Sequence, residues 1–396
     1  MIYLDNGATS FPKPRGMIKS MNDCMTIYCG NPGRSGHDMS MRTGEEVYKA
    51  RRVLAEMFHI ESAEQIVFTG NTSEALNLGI KGVLLEGDHV ITTSMEHNSV
   101  LRPLNALEQW GVQQTIVRCQ PDGTLNVNSI QRAIKKNTRL IVCTHASNVV
   151  GTILPIAEVG DLICKENHRR AAEGDGQKIL FMVDGAQSAG SVIIDVKQMN
   201  IDMLAIPGHK GLLGPLGTGM LYIREGIDLR HLMEGGTGTQ SKDRIQPRDF
   251  PEGYEVGTLN APGIIGLRYS TEYVRRIGVE SIGSYEMELI KPLDAALRNM
   301  KGFTMYGPSD CSKKTGIVTF NITGNGDVAE KGCEEVASLL NDDYGIAVRG
   351  GYHCAGLAHK TIGTWDCGAV RMSVGIYNSR KDIRTAIEAL HRISKQ

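Results

Sequence analysis

The feature that most constrains the fold is an alternation of amphipathic helical stretches with short apolar runs between about residues 40 and 225. Seven runs are rich in β-branched residues: QIVFTG, HVITTS, QTIVRC, RLIVCTH, ILFMVDG, DMLAIPG and MLYIR. Strands that alternate with helices predict an α/β domain with a mostly parallel sheet. Several runs are apolar throughout, which is typical of strands covered by helices on both faces.

The rest of the chain predicts a second, smaller unit. At 396 residues the chain exceeds the range in which one hydrophobic core keeps growing. A break near DFPEGYEVGTLNAPG (249–263) precedes a helix-rich part that contains the strands GIVTFNI and AVRMSV and closes with the helix SRKDIRTAIEALHRI. We expect a large α/β domain over residues 15–250 and a small α+β domain made of residues 1–14 with 251–396, and a cleft between them.

Composition favours small-molecule chemistry over binding to nucleic acid or membranes. The net charge is -1, with 22% charged residues, which leaves no electrostatic footprint for either partner. No run approaches 18 apolar residues, and the N-terminus MIYLDNGATSFPKPRG lacks the features of a secretory signal, so a cytoplasmic protein is expected. The nine cysteines form no CxxC pair, which predicts reduced thiols and no metal site.

Polar residues follow several of the predicted strands, where ligands gather in parallel sheets. In GNTSEALNLGI (70–80), a glycine turn opens a helix, and Thr72 and Ser73 add hydroxyls to a phosphate cradle; an ordinary N-cap is the alternative. His97 follows HVITTS, where it would stack on a flat ring, relay a proton or serve as a loop histidine. Asn148 lies similarly after RLIVCTHAS, with a turn residue as the alternative.

The next two strands end in residues that are harder to explain by packing. Asp184 ends the apolar run ILFMVD and needs a cationic or donor partner, either a ligand's pyridinium nitrogen or a structural arginine. Gln187 follows three residues later. Lys210 lies in PGHKGLLGPLGTG (207–219), where glycines allow close approach to a ligand. Desolvation there would lower the pKa of the lysine towards nucleophilic use, although a solvated charge is the usual role of a loop lysine.

A cysteine near the C-terminus has an unusual setting. The stretch RGGYHCAG (349–356) places Cys354 beside His353 and among three glycines. We expect these glycines to give the thiol room to approach a ligand and the neighbouring His353 to help keep it reactive. A reactive thiol, a metal ligand and a packing residue all remain open on this pattern alone.

Taken together, these motifs resemble those of the fold type I pyridoxal-phosphate enzymes of aminotransferase class V, and among them the SufS-like and selenocysteine-lyase-like cysteine desulfurases. The resemblance runs from YLDNGATS at residue 3 to VRMSVGIYN at residue 378. It implies a large domain with a mostly parallel seven-stranded sheet between helices and pyridoxal 5'-phosphate as cofactor. The implied reaction converts L-cysteine to L-alanine and leaves the sulfur on an enzyme cysteine as a persulfide.

The resemblance also implies roles at the cofactor. Lys210 would form the Schiff base, Asp184 would keep the pyridine nitrogen protonated, and Gln187 would bond the ring hydroxyl. His97 would stack on the ring. Residues implied to hold the phosphate are Thr72, Ser73, His209 and, from a neighbouring subunit, Thr258. The role of Thr258 implies a homodimer.

Further roles concern the substrate and its sulfur. Arg371 would clamp the substrate carboxylate, with Asn148 assisting, and Cys354 would accept the sulfur. The family motif RxGHHCA reads RGGYHCA here, so Tyr352 replaces its first histidine. The short connection before the cysteine resembles the compact SufS-like loop, for which a sulfur-acceptor protein is an expected partner. The acceptor and the pathway, such as iron–sulfur cluster assembly, stay open.

Other functions are compatible with the same motifs. A selenocysteine lyase, a cysteine-sulfinate desulfinase or a class V transaminase with an incidental Cys354 would keep the cofactor. L-Selenocysteine is accordingly a second candidate substrate. A non-catalytic carrier or scaffold of the same fold predicts loss of Lys210 or Asp184, and both are present.

Overall fold

A computed structural model describes residues 1–33 and 35–396. Over these residues the strands are β1 Ile2–Tyr3, β2 Ile66–Thr69, β3 His89–Thr93, β4 Gln113–Val117, β5 Thr138–Thr144, β6 Leu180–Asp184, β7 Met203–Pro207, β8 Gly219–Ile223, β9 Phe303–Tyr306, β10 Ile317–Ile322, β11 Ile346–Ala347 and β12 Val370–Ser373. The α-helices are α1 Arg15–Asp23, α2 Asp38–Phe58, α3 Thr72–Val83, α4 Asn98–Glu108, α5 Val127–Ala133, α6 Ile156–Glu173, α7 Ala261–Ile277, α8 Val279–Asn299, α9 Cys333–Tyr344, α10 Gly356–Ile362 and α11 Arg380–Ile393. In the described part of the chain, no helix combines the length and apolarity needed to cross a bilayer.

The large sheet has seven strands in the order β2-β8-β7-β6-β5-β3-β4. Strands β3 to β7 run parallel to one another, whereas β8 is antiparallel to both of its neighbours, β7 and β2. Each strand falls on one of the seven apolar runs in the sequence. The predicted α/β fold with a mostly parallel seven-stranded sheet is confirmed.

Helices cover both faces of this sheet, which explains why the strands are apolar throughout. Successive residues of a strand point to opposite faces, so Ile66 and Phe68 of β2 pack in one hydrophobic cluster and Val67 packs in another. The first cluster takes residues from α2, α6 and α7, and the second takes residues from α3 and α4. A sheet buried on both sides places its free polar groups at the strand ends.

A separate hydrophobic cluster forms the smaller unit. It combines residues of α8, α9 and α11 with β10 and β12, and it includes Leu4 near the N-terminus. Strand β1 pairs in parallel with β11, so the first residues of the chain join the C-terminal part. Helix α7 contributes to the large cluster instead. The division into residues 15–250 and residues 1–14 with 251–396 stays a prediction.

The buried Glu96 and the partly buried Glu286 are expected to make the protein without ligands more stable as the pH falls from about 8. Burial raises the pKa of Glu96 and of Glu286 to about 8. The folded chain therefore takes up these protons at a higher pH than the unfolded chain does. Folding is favoured progressively as the pH falls from about 8 towards the ordinary glutamate pKa.

Buried histidines reverse this trend below pH 6.5. Burial lowers their pKa from 6.5 to about 4, or to about 2 for one of them; they are His89, His145, His359 and, with the lowest value, His353. The unfolded chain then binds protons that the folded chain does not, so stability is lost as the pH falls through this window. Because these histidines outnumber the glutamates, and the pKa values of His97 and His209 are lowered in the same direction, we expect the free energy of unfolding to be lower at pH 5 than at pH 6.5. Urea unfolding measured at about pH 8, 6.5 and 5 should show a maximum near pH 6.5; stability that rises steadily to pH 8 would contradict this prediction.

Candidate active site

A cavity of about 800 Å³, including its open mouth, lies where the carboxyl ends of the parallel strands meet the C-terminal part of the chain. Predicted site residues that line it are Thr72, Ser73, His97, Asn148, Asp184, Gln187, His209, Lys210 and Arg371. The N-terminal segment adds Gly7, and the loop before α10 adds Arg349 and His353. Residues far apart in the sequence therefore converge on one concave site, the usual setting for a small ligand.

One end of the cavity is suited to an anion. Thr72 begins α3, whose first turn presents free backbone N–H groups. The Thr72 hydroxyl and the Nδ1 atom of His209 are buried and have no hydrogen-bond partner among the described residues. The Ser73 hydroxyl lies 2.6 Å from that of Ser99. Because unpaired buried polar atoms are costly, this end fits a ligand with several acceptor oxygens, such as a phosphate.

His97 caps α4 and faces the cavity as a neutral ring. Its Nδ1 accepts the backbone N–H of Ser99 at 3.1 Å and lies 2.9 Å from the Ser99 hydroxyl. Burial lowers its pKa to about 4, and the positive charge of Lys210 acts in the same direction. With Nδ1 accepting, the proton of the neutral ring is on Nε2. A neutral, flat imidazole of this kind is able to stack on an aromatic ligand and to donate from Nε2.

Asp184 is the last residue of β6, and Lys210 lies shortly after the neighbouring strand β7. Asp184 is only 2% exposed, and its Oδ1 accepts the Ala186 N–H at 3.0 Å. Burial nevertheless raises the pKa of this carboxyl, so a cationic N–H in the cavity would stabilise its charged form. Burial lowers the pKa of Lys210 to about 8, with Asp184 raising it and Arg371 lowering it. An amine of this pKa is available as a base or nucleophile near neutral pH.

Gln187 connects the cavity to the N-terminal segment. Its Nε2 donates to the carbonyl of Gly7 at 2.9 Å, so the predicted bond to a ring hydroxyl would fall to its Oε1. A side chain at residue 7 would lie 3.2 Å from the Ser373 hydroxyl and 3.3 Å from the Arg371 guanidinium. Glycine at this position keeps the wall of the cavity open.

Arg371 lies in β12 and is 1% exposed. Its Nη2 donates to Asp5 at 2.8 Å, and its Nη1 donates to the carbonyl of Asn148 at 2.9 Å. Its Nε is buried without a hydrogen-bond partner among the residues that the structure describes. A guanidinium has five N–H donors, so three remain for a bound anion. Arg371 is therefore well placed to hold a carboxylate.

Cys354 is not among the described residues that line this cavity; it lies in a tight turn next to His353 and in contact with Arg349, which do line it. Its side chain is exposed, and its Sγ accepts from Nη2 of Arg349 at 3.4 Å. The Cys354 carbonyl accepts the N–H of Asn98 at 2.8 Å, and Nδ2 of Asn148 donates to the carbonyl of His353 at 2.6 Å. The two contacts tie the cysteine turn to the start of α4 and to the loop after β5. The thiol is accessible, but its backbone is fixed.

Some site residues were not anticipated from the sequence. Arg349 is the first residue of the stretch RGGYHCAG, yet its contact with the Cys354 thiol depends on the turn that separates the two residues. Asp5 is in YLDNGATS, and its bond to Arg371 spans nearly the whole chain. Ser99 is in the first turn of α4, directly after its N-cap His97. For Arg349 and Ser99, the available signal was a polar residue within five positions of a predicted site residue, whereas no predicted site residue lies near Asp5 in the sequence.

The structure places Thr258 outside the wall of the cavity and the ring nitrogens of His353 away from the thiol. Thr258 is exposed and is not part of the cavity wall, so its predicted role at a neighbouring subunit's phosphate stays a prediction. His353 does not turn either ring nitrogen to the thiol. Its Nε2 lies 3.2 Å from the Arg349 carbonyl, and its Nδ1 lies 3.2 Å from the ring of His359.

Known proteins resemble this chain over nearly its whole length. A family model described as aminotransferase class-V matches residues 2–385. A "probable cysteine desulfurase" of Methanothermobacter thermautotrophicus is 36% identical over 400 residues, covering 99% of this chain and 94% of the relative. A cysteine desulfurase of Salmonella choleraesuis is 30% identical, covering 100% of this chain and 94% of its own. The apo structure of a cysteine desulfurase from Thermococcus onnurineus NA1 is 33% identical with a TM-score of 0.89, covering 100% of this chain and 94% of that chain. The chain therefore belongs to the aminotransferase class-V family, and cysteine desulfurases are among its relatives.

Proposed function

We propose that this protein is a pyridoxal-phosphate-dependent cysteine desulfurase that converts L-cysteine to L-alanine and retains the sulfur as a persulfide on Cys354. The observation that carries the proposal is the joint placement of Lys210, Asp184 and Arg371 around one cavity, with the Cys354 sulfur in contact with Arg349, which also lines it. A lysine of lowered pKa, a buried carboxylate, a buried arginine and an accessible thiol together supply the groups that this reaction needs.

The cavity residues fit pyridoxal phosphate. The unpaired atoms of Thr72 and His209, together with the first turn of α3, would hold the phosphate. Asp184 would pair with the pyridine nitrogen, which removes the cost of its burial. His97 would stack on the ring, and Gln187 would reach the ring hydroxyl. When bound, the cofactor supplies an electron sink for the charge left at Cα after proton removal.

The chain's own groups would then bind the substrate and move its α-proton. The three free donors of Arg371 would hold the substrate carboxylate, with Asn148 fixing one side of the guanidinium. The Lys210 amine, with a pKa of about 8, would accept the proton from Cα and return it later. The low pKa of His97 keeps its ring neutral, so it would not compete with Lys210 for that proton.

Sulfur transfer balances without an oxidant. Sγ of Cys354 attacks the substrate sulfur, a sulfur–sulfur bond forms, and the carbon–sulfur bond of the substrate breaks. The thiol proton of Cys354 makes up the hydrogen count of alanine, so L-cysteine and one enzyme thiol give L-alanine and one enzyme persulfide. Arg349 would stabilise negative charge on the attacking sulfur.

A homodimer would complete the site. Exposed apolar side chains lie close together in sequence along α1, the turn after it and α2: Ile18, Met25, Ile27, Met39 and Met41. Apolar surface of this kind is typical of subunit interfaces. In such a dimer, Thr258 would reach the phosphate of the neighbouring subunit. We also propose a cytoplasmic location and a sulfur-acceptor protein as partner, as in iron–sulfur cluster assembly.

The decisive experiment measures products from purified, pyridoxal-phosphate-loaded protein. Incubation with L-cysteine is expected to give alanine, and mass spectrometry is expected to find one added sulfur on the peptide that contains residue 354. With a reductant, turnover should continue and sulfide should match alanine. Absence of alanine from L-cysteine would rule out the proposal.

The same assay separates the alternatives. A selenocysteine lyase would produce alanine from L-selenocysteine and little from L-cysteine, and a desulfinase would prefer cysteine sulfinate. A class V transaminase would need an amino acceptor and would leave Cys354 without added sulfur. Each alternative function has its own substrate dependence, so one set of assays with these substrates distinguishes them.

A further inference from the structure

The turn that carries Cys354 has an unfavourable backbone. His353 and Cys354 have φ angles of 50° and 57°, both in the left-handed region that residues with a side chain rarely adopt. One local hydrogen bond closes the turn, from the N–H of Ala355 to the carbonyl of Tyr352 at 2.9 Å. Two consecutive residues in this conformation need support from their surroundings.

Buried side chains behind the turn supply that support. His353 Nε2 lies 3.2 Å from the carbonyl of Arg349, and its Nδ1 lies 3.2 Å from Nε2 of His359. His359 Nδ1 lies 2.7 Å from the hydroxyl of Thr364. The His353, His359 and Thr364 side chains thus form a continuous chain, which ends on the residue whose guanidinium contacts the Cys354 sulfur.

The donors and acceptors in this series of hydrogen bonds can be assigned in only one way. The Arg349 carbonyl only accepts, so His353 Nε2 donates to it and His353 Nδ1 must accept. His359 Nε2 therefore carries the proton that it donates to His353, and His359 Nδ1 accepts the proton of Thr364, whose hydroxyl lies 2.7 Å from this nitrogen and farther, 3.5 Å, from the His359 carbonyl. One neutral tautomer of each ring satisfies every contact. A hydroxyl ten residues beyond the cysteine thereby sets the orientation of the ring next to the cysteine.

The surroundings of the two rings agree with this arrangement. His353 is 1% exposed and His359 is 0% exposed. Burial lowers the pKa of His353 to about 2 and that of His359 to about 4, so both are neutral. Tyr352 packs edge-on against His359, with ring centroids 5.3 Å apart, and donates its hydroxyl proton to the carbonyl of Trp365 at 2.8 Å. The tyrosine that replaces the expected histidine is thus part of the same support.

We infer that His359, oriented by Thr364, is a positioning residue that acts through His353 to hold the Cys354 turn against Arg349. The expected effect on turnover rests on the proposed function, because the proposed function makes Cys354 the acceptor of sulfur. His353 and His359 do not contact the thiol, and neither is assigned to proton removal at Cα. Loss of the hydrogen bonds among His353, His359 and Thr364 is therefore expected to slow sulfur transfer to Cys354 and not proton removal at Cα.

The test uses pairs of variants that remove or keep the connecting group. Thr364→Val removes the hydroxyl at nearly constant shape, and Thr364→Ser keeps it. His359→Leu removes the donor to His353, and His359→Gln keeps an amide N–H near that position. A matched control is Thr138→Val, because Thr138 bonds the buried His89 ring at 2.8 Å, far along the chain from the cysteine turn.

Two measurements on the pyridoxal-phosphate-loaded protein isolate the predicted step. The first is the rate of alkylation of Cys354 by iodoacetamide, quantified by peptide mass spectrometry with exposed Cys367 as internal reference. The second compares alanine formation from L-cysteine with deuterium exchange at the substrate Cα. In Thr364→Val and His359→Leu we expect Cys354 alkylation and alanine formation to fall about fivefold, the effect of one lost hydrogen bond. Exchange at Cα and alkylation of Cys367 should stay at wild-type rates.

The conservative and control variants decide between positioning and general structure. Thr364→Ser and His359→Gln should recover the wild-type rates, whereas Thr138→Val should lower thermal stability and leave Cys354 unaffected. Wild-type Cys354 alkylation and alanine formation in folded Thr364→Val would overturn the inference, as would an equal loss of exchange at Cα. If His359→Leu does not fold, Thr364→Val carries the test. If wild type makes no alanine but the alkylation pattern holds, the proposed function fails and the positioning role stands.

Discussion

Replacement of Lys210 by alanine is expected to remove the yellow colour of the pyridoxal-phosphate-loaded protein and its alanine production together. Lys210 lies in the cavity with Asp184, and its pKa of about 8 makes its amine available at neutral pH. No other lysine is among the residues that line this cavity in the described structure. We expect alanine formation from L-cysteine to fall by at least about 10³-fold, in the range of a lost general base. Visible absorbance spectra and product assays on wild type and variant measure both effects.

A second lysine near the same loop provides the sharpest control. Burial also lowers the pKa of Lys13 to about 8, and its Nζ donates to the carbonyl of His209 at 2.7 Å. If pKa alone selected the attachment site, Lys13 would compete with Lys210. Borohydride reduction followed by peptide mapping should place the cofactor on Lys210 in wild type and in Lys13→Met. A reducible bond that persists in Lys210→Ala, on Lys13 or elsewhere, would show that Lys210 is misassigned.

The large seven-stranded sheet was predictable because its local signals and its packing agree. Buried parallel strands need apolar residues on both faces, and the runs from QIVFTG to MLYIR have them. The polar residues that follow these runs, such as Asp184 and Lys210, are then confined to one edge of the sheet. Their convergence on one cavity follows from the topology, so sequence reasoning was sufficient to bring them together.

Contacts within irregular segments were not predictable in the same way. The bond between Asp5 and Arg371 depends on β1 pairing with β11, two strands of two residues each, which have little local signal. The bond between Arg349 and the Cys354 sulfur depends on two residues in the left-handed region. Histidine and cysteine rarely adopt this conformation, so the sequence does not predict it. Sequence spacing placed the cysteine in a loop, but only the tertiary contacts fix its direction.

The second large effect is expected from Cys354→Ala, which should stop sulfur transfer and spare the earlier step. The residues assigned to cofactor and substrate binding, including Lys210, Asp184 and Arg371, are unchanged, so deuterium exchange at the Cα of L-cysteine should continue at a rate close to wild type. Alanine formation from L-cysteine should fall by at least about 10³-fold because the attacking nucleophile is missing. L-Selenocysteine should still give residual alanine, since its carbon–selenium bond is weaker and its leaving group better.

Cys367→Ala is the matched control for this experiment, because Cys367 is also exposed and lies on the loop after α10. Its sulfur lies 3.5 Å from Nδ2 of Asn321, and it lacks the contact with Arg349 that Cys354 has. If accessibility alone decided which cysteine accepts sulfur, the added sulfur would be found on both Cys354 and Cys367. We expect the added sulfur to appear on the residue 354 peptide in wild type and in Cys367→Ala. Equal alanine production by Cys354→Ala and wild type, or sulfur found on Cys367 alone, would show that the Cys354 turn is not the acceptor site.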